Sequence, residues 1–394
     1  MEINEFIRFG VNILADKLPN NILKNTFLVP NYYPKFTCKG GDCRHTCCSG
    51  WDVSIPMDQY YRLMGLQCHQ TLRKTIDKTF KVLDHPSTDR YAYINHDYLG
   101  NCPLHLPNGY CQLHAKCGEE ALPCVCRYYP RGPRTFYGYE SSCSNSCERT
   151  LEQLFENDDK VTFSKIPLVF KMPYLDKQAS VDEQTRYQTI RDLSFKLLQN
   201  RNYSLKERIL KVGKLLIELD QYPDVLFDSI DLSINSYEVD IEKSFVLIQQ
   251  MSSWLIDNDT SIKDYCQSII DDYRDKNLRE TYLLHQNHFE KKFINHEILF
   301  EKMMINDLFF RQFPFQEYTT NFYDEFITLC ALYSFIRYIS INATKEVDTL
   351  EQYIDLLAKT FRVIAHTKFG KNMMNQLKKF KQTDFDALAS LIQL

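Results

Sequence analysis

Twelve of the 14 cysteines lie between Cys38 and Cys147, and that crowding constrains this chain more than any other feature of its sequence. The spacing runs Cys38-x4-Cys43-x3-Cys47-Cys48, then Cys102-x8-Cys111, Cys124-x-Cys126 and Cys143-x3-Cys147. Nine of the 12 glycines fall in the same interval, so the segment is rich in turns. A stretch built this way cannot close a large apolar core by side-chain packing alone. The thiols are left to hold it together.

Thiols do that either as disulfides or as metal ligands. The first residues, Met1 to Leu18, carry Glu2, Glu5, Arg8 and Asp16 and lack the basic-then-apolar layout of a secretory signal. The expectation is therefore a cytoplasmic protein with free thiols available for metal. Thiolates are soft donors that select zinc, copper(I) or iron–sulfur clusters. A structural zinc site uses four ligands, usually in two close pairs. Here Cys38, Cys43, Cys47 and Cys48 already supply four, and the later groups supply more than one zinc uses. That surplus favours an iron–sulfur cluster, or two metal sites, with a single zinc as the alternative. Cys47 and Cys48 are adjacent and point their side chains differently, so one ligates while the other packs or serves a second site. His45, His105 and His114 lie near cysteines and are candidates to ligate or to hydrogen-bond a sulfur. Cys68, Cys117, Cys266 and Cys330 read as small apolar residues.

Beyond Tyr174 only Pro223, Pro314, Gly213 and Gly370 interrupt the chain, and apolar residues recur at helical spacing. Ser204 with Glu207 fits a capping box ahead of Leu205, Ile209, Val212, Leu215, Leu216 and Leu219. Asp348 with Glu351 makes a similar start. Further helices are expected near 184–199, 239–257, 261–275, 280–311, 322–341 and 371–392. In the front, helices are expected from Met57 to Leu66 and over 71–83, with a strand near Tyr91 to Ile94. The fold class is therefore mainly α: a helical segment over 1–29, a loop-rich Cys module with short strands over 30–150, and a helical domain over 151–394. No apolar run is long enough to cross a membrane. The net charge of −4 lacks the basic stripe of a nucleic-acid binder.

The run from Tyr33-Pro34-Lys35-Phe36-Thr37-Cys38 through Cys47-Cys48-Ser49-Gly50-Trp51 resembles the opening of the flagellin lysine-N-methylase family, the FliB type. Cys102-Pro103-Leu104, Cys111-Gln112-Leu113-His114, Gly118 to Pro123, Cys126-Arg127-Tyr128-Tyr129-Pro130-Arg131 and Ser146-Cys147-Glu148 continue the likeness. The same array is similar to a broader group of zinc- or iron-chelating proteins. Glu297 through Phe315 and Phe361-Arg362-Val363-Ile364-Ala365-His366 resemble later helices of the methylase family. The resemblance implies transfer of methyl groups from S-adenosylmethionine to lysine ε-amines on flagellin, with a 4Fe-4S cluster. Carried over residue by residue, it implies Cys38, Cys43, Cys47, Cys48, Cys102, Cys111, Cys126 and Cys147 as the thiol ligands. Cys68, Cys117, Cys124 and Cys143 fall outside the pattern.

The usual frames for a methyl donor are missing. No Gly-x-Gly-x-x-Gly follows a strand, and the three-cysteine radical motif is absent. Arg127 and Arg131, near Cys126, are the candidates to pair with the donor's carboxylate, although satisfying loop carbonyls is the slightly favoured role for both. No catalytic base is assigned. The alternative function is a non-catalytic iron- or zinc-binding or sensing protein that docks a partner through its helical part.

Overall fold

Leu23, Phe27 and Val29 alternate onto one side of an extended segment, Ile22–Pro30, which forms strand β1. The computed structural model describes the chain from residue 22 onward, except 173–177, 224–225, 235–236, 238, 259–262, 315–318, 320 and 344–346. The helical expectation over 1–29 is corrected here for its last residues, while 1–21 lie outside the described residues. The period of two, with partners on both sides, makes this stretch a strand. It pairs antiparallel along its whole length with β7 (Phe163–Lys171) and parallel with β6 (Glu140–Cys143). The sheet order is β5-β6-β1-β7, with β5 at Arg131–Arg134. β7 is an edge strand, which explains how it tolerates Pro167. A strand inside the region expected to be helical thus ties 151–394 to the front of the chain.

The body is helical, as expected. Helix α6 (Val181–Leu198) begins with a complete capping box between Ser180 and Glu183. In α7 (Leu205–Gln221) the Ser204 side chain accepts from the Glu207 amide, and the stripe Leu205, Ile209, Val212, Leu215, Leu216 and Leu219 is buried. α8 (Ile241–Asn258) and α9 (Lys263–Asp272) follow. The run expected over 280–311 is two helices, α10 (Leu278–Lys292) and α11 (His296–Phe310), because Asn295 restarts the second. α12 (Phe322–Asn342) is buried from Asp324 to Asn342, so it passes through the centre of the body. α13 (Leu350–His366) is capped by Thr349 and Gln352, one residue beyond the expected Asp348 start. The run near 371–392 is again split, into α14 (Phe369–Lys379) and α15 (Phe385–Leu391), at Lys381 with its positive φ. Among the described residues no helix is long and apolar enough to cross a membrane.

The cysteine-rich stretch closes a small core of its own from Val53, Ile55, Leu63, Leu72, Ile76, Phe80, Ala92, Ile94, Cys102, Leu104, Leu113, Ala121 and Leu122. Its helices α1 (Met57–Gly65) and α2 (Gln70–Thr79) flank a three-stranded sheet, β2 (Ser54–Ile55), β4 (Ala92–Ile94) and β3 (Phe80–Val82). The helix expected over 71–83 therefore ends at Thr79 and continues as a strand. Three shorter helices complete this half: α3 (Gln112–Cys117), α4 (Cys124–Tyr128) and α5 (Glu148–Leu154).

Helix α11 is the post on which the front is mounted. Asn306 donates to the Cys143 carbonyl at 2.8 Å and to Asn145 Oδ1 at 2.7 Å, and accepts from the Tyr32 hydroxyl at 2.6 Å. Asn145 donates in turn to the Met303 carbonyl at 2.9 Å. Lys302 reaches the carbonyls of Leu154 and Asn157 at 2.8 and 2.5 Å. On the other side, buried Glu301 takes Arg208 at 2.6 Å and Arg201 at 2.8 Å. Asn306, Lys302 and Glu301 of this buried helix thus each reach partners in neighbouring elements, which fixes how front and body sit together.

Candidate functional site

Two loops meet at Gly41 and Gly109 with no room between them. A Cβ on Gly109 would lie 2.4 Å from the Gly41 carbonyl oxygen, and one on Gly41 would lie 2.6 Å from that of Asn108. The first loop carries Cys38, Cys43, Cys47 and Cys48. The second is the turn between Cys102 and Cys111, which the Cys102 amide fastens to the Cys48 carbonyl at 2.7 Å. Helix α4 brings Cys126, and Cys147 stands immediately before α5.

These loops surround a cavity of about 160 Å³. Seven of the eight thiols expected as ligands line it: Cys38, Cys43, Cys47, Cys48, Cys102, Cys111 and Cys126. Cys147 lies against Cys43 and Cys38 without lining it. Trp51, Tyr110 and Tyr129 form aromatic walls, whereas Tyr32 and Tyr33 are buried in the main core. The Trp51 and Tyr129 rings lie 5.5 Å apart, and the Trp51 indole donates to the Cys47 carbonyl at 2.8 Å. Cys126 is enclosed by protein yet keeps accessible surface, because its sulfur faces the cavity. All the cysteines are free thiols.

Burial pushes the Cys43 thiol up to about 12, with Glu148, Cys147 and Cys38 acting in the same direction. Burial likewise pushes Cys102 up to about 12 and Cys126 well above the usual thiol range. Cys47 and Cys48 share a hydrogen bond that raises the first and lowers the second. Thr46, His105 and Arg362 further favour the Cys48 thiolate. So many crowded thiols cannot ionise together unless a cation compensates them, and a soft metal does that.

The residues fit a thiolate-held metal group in donor type, in number and in the cavity they enclose. His105 Nε2 adds a buried ring nitrogen with no hydrogen-bond partner among the described residues. The geometry does not match one bare ion. Among the described residues no three His, Cys, Asp or Glu side chains stand as a single ion requires. Zinc–sulfur bonds of about 2.3 Å would draw four sulfurs tightly together, whereas a polynuclear cluster spreads its ligands.

A clamp that the sequence reading did not single out holds the first loop. Glu148, 2% exposed, accepts from Lys39 Nζ at 2.7 Å and from the amides of His45 and Arg44 at 2.9 and 3.1 Å. Burial alone would raise this carboxyl, but Lys39 and the two amides hold it below its ordinary value. From α13, Arg362 donates to the carbonyls of His45, Ser146 and Ser49 at 2.8, 3.3 and 3.4 Å. Arg44 reaches Asp355 of the same helix at 2.8 Å, and His45 lies 3.4 Å from it. The signal for Glu148 was its place directly after Cys147. Arg362 lies in the family-like run Phe361 to His366, but nothing in that run points to its partners, which are carbonyls far away in the chain.

The two arginines expected to bind a donor carboxylate do not line the cavity. Arg127 is buried and donates to the carbonyls of Glu119, Glu120 and Leu122 at 3.1, 2.6 and 3.4 Å. Arg131 lies over the Phe36 ring at 5.6 Å, and its buried Nε has no hydrogen-bond partner among the described residues. Of the remaining cysteines, Cys124 points to the Lys171 carbonyl at 3.5 Å and Cys143 is buried in the main core. Cys68 and Cys117 neighbour each other beside the small core. His114 lines the cavity.

The family described as FliB lysine N-methylase C-terminal domain matches residues 191–394. The chain is 23% identical over 146 residues to proteins named lysine-N-methylase from Salmonella typhimurium and Salmonella choleraesuis. It is also 23% identical over 142 residues to the flagellar biosynthetic protein FliU of Salmonella muenchen. Each match covers 36% of this chain, with 36% of either lysine-N-methylase and 83% of FliU. The chain thus aligns with about a third of the length of the two lysine-N-methylases. No solved structure matches it.

Proposed function

This chain belongs to the FliB lysine N-methylase family, and from that premise we propose that it methylates lysine ε-amino groups on flagellin. The donor in this reading is S-adenosylmethionine, and the thiol-lined cavity holds an iron–sulfur cluster, of the 4Fe-4S type. The observation that carries the reading is the family match over residues 191–394 in a chain whose matched body clamps the cysteine loop through Arg362 and Asp355. When bound, such a cluster supplies electrons at low potential or an open iron site for amino and carboxylate groups. Cys48, Cys102, Cys111 and Cys126 are its candidate holders, with Cys38, Cys43, Cys47 and Cys147 beside them. Zinc is the alternative metal.

A lysine amine has an ordinary pKa near ~10.4, so methyl transfer needs it stripped of its proton. Trp51, Tyr110 and Tyr129 give an incoming lysine side chain a poorly hydrated wall, and burial against it favours the neutral amine. Neither arginine lines the cavity; Arg127 is consumed by carbonyls, while the buried Arg131 Nε has no hydrogen-bond partner among the described residues, which leaves Arg131 the remaining candidate for a carboxylate. The reaction is placed in the cytoplasm, with flagellin as partner and neither nucleic acid nor membrane engaged.

The test is the intact mass of flagellin co-expressed with and without this chain. A rise by whole methyl groups on lysine supports the reading, and an unchanged mass removes it.

A further inference from the structure

The chain leaves the cavity wall at His96 and rejoins it at Cys102, and both residues line the cavity. Between them lies a tight turn. The Asp97 amide donates to the Asn101 carbonyl at 2.8 Å, and the Gly100 amide donates to the Asp97 carbonyl at 3.0 Å. The Asp97 carboxylate accepts from the amides of Leu99 and Asn101, each at 2.9 Å. Gly100 supplies the positive φ of +78° that the turn requires.

The same turn is fastened sideways to the first thiol loop. The Gly50 amide donates to the Gly100 carbonyl at 3.3 Å, Ser49 and Asn101 form a β-bridge, and the Cys102 amide holds the Cys48 carbonyl at 2.7 Å. Trp51, the next residue of that loop, is one of the cavity's aromatic walls. The turn is therefore a fixed projection beside the cavity, held by its own bonds and by its neighbour's.

Tyr98 and Leu99 stand at its tip. Tyr98 is 94% exposed, the most exposed large apolar side chain among the described residues, and Leu99 is 67% exposed. Neither belongs to the main core or to the small core. Packing gains nothing from an aromatic and an aliphatic side chain at these positions, where turns ordinarily carry small or polar residues. A second turn, from Leu104 to Cys111, presents the half-exposed Tyr110 to the same cavity. Tyrosine and leucine on a pre-ordered backbone bury apolar area against a partner at little cost in conformational freedom.

We propose that this turn is the docking ridge for the protein substrate: Tyr98 and Leu99 seat an apolar patch of flagellin while a lysine side chain beside that patch enters the cavity. The identity of the occupant rests on the methylase reading; the place of the ridge rests on the turn itself. A folded protein cannot enter a space of about 160 Å³. Only its side chain can, so the grip has to come from surface next to the opening. The tip of the turn is an apolar surface held there.

Binding of the full, anaerobically purified chain to monomeric flagellin is measured by biolayer interferometry for the parent, Y98S/L99S and a control, Ile294→Ser. Ile294 is also exposed and apolar but lies between α10 and α11. The double variant is expected to bind about tenfold more weakly, with the parent's melting temperature and metal content, while Ile294→Ser binds as the parent does. Should the pair lower the melting temperature, Tyr98→Ser and Leu99→Ser singly carry the comparison. Equal binding by the double variant overturns the proposal, as does a parent that does not bind flagellin, or an equal loss in Ile294→Ser. Sedimentation covers the other occupant: if the parent self-associates and Y98S/L99S does not, the ridge joins copies of this chain and the proposal is wrong. Methyl transfer is read separately by intact mass, so a parent that binds through the ridge without adding mass loses the methylase reading alone. Where mass is added, Y98S/L99S is expected to raise KM about tenfold and keep kcat. A fall in kcat at unchanged KM would place the turn in the chemistry instead of in docking.

Discussion

Arg362 Nη2 donates to the His45 carbonyl at 2.8 Å, across 317 residues of sequence. Its other donors reach Ser146 and Ser49, so one guanidinium joins both ends of the thiol array to α13. Removing it as Arg362→Ala leaves three carbonyls to find water and frees the loop that carries Cys43 and Cys47. A charged hydrogen bond contributes about 1.5–3 kcal/mol, so a loss of about 2 kcal/mol is expected in thermal or urea unfolding. Metal retention should fall more than helical content, because the body's core does not include Arg362. Arg362→Lys restores charge without the planar fork and recovers only part of the loss. Equal stability and equal metal content in the alanine variant would show that the clamp is ornamental.

The closeness of the two loops gives a second test. Gly41→Ala places a methyl 2.6 Å from the Asn108 carbonyl oxygen and 2.5 Å from the Tyr110 ring, so backbone has to move. Gly50→Ala meets nothing within 4 Å but forces φ of +78° on an L side chain, costing about 1–2 kcal/mol. The first variant is expected to lose bound metal outright. The second loses a little stability and keeps its metal. Metal analysis beside melting curves separates them, and the opposite order would mean that the loops do not meet at Gly41.

A third expectation concerns pH. Lys206, on α7, is pushed down to about 7 by burial and by Arg337, against the opposing pull of Glu290 and Glu297. Its Nζ donates to the Gln393 carbonyl at 2.8 Å, a bond that a neutral amine also makes. The unfolded chain holds this proton up to about 10.5, so between about pH 7 and that value it binds more protons than the native state. Stability from this group therefore rises with pH through the window, and below pH 7 the cost of the buried charge is fully present. Lys206→Met should unfold at higher temperature than the parent at pH 6, with the difference shrinking by pH 9. A difference independent of pH would place the native lysine at its ordinary value.

What could be read in advance follows from how local each signal is. The stripe from Leu205 to Leu219 and the Ser204 cap lie within one helix, and a repeat of three and four suffices to find them. The thiols were equally legible, because cysteine chemistry depends on residue type more than on surroundings. β1 and β7 were missed because their pairing joins Ile22 to Lys171, and β7 is exposed along most of its length. Polar residues of α11 such as Asn306 and Glu301 sit in a family-like motif whose sequence says nothing of Tyr32, Cys143 or Arg208. Arg127 shows the same limit from the other side. Its place beside Cys126 suggested a ligand site, yet α4 turns it onto the carbonyls behind it.

Another such nonlocal contact is buried on both sides and gives a sharp test. Arg191, the first residue of the family-matched region, makes a two-pronged pair with Glu140 of β6 at 2.8 and 2.5 Å, both side chains 2% exposed. The guanidinium also lies over the Phe309 ring at 4.9 Å. Truncating one partner strands the other charge away from water, which costs about 3–5 kcal/mol. Replacing both by apolar residues of similar volume removes the attraction and the desolvation penalty together. Urea unfolding of Glu140→Leu, Arg191→Met and the double variant is therefore expected to show two large single losses and a double loss smaller than their sum. If the two losses simply add, the charges do not act on one another and sheet and helix are joined by packing alone.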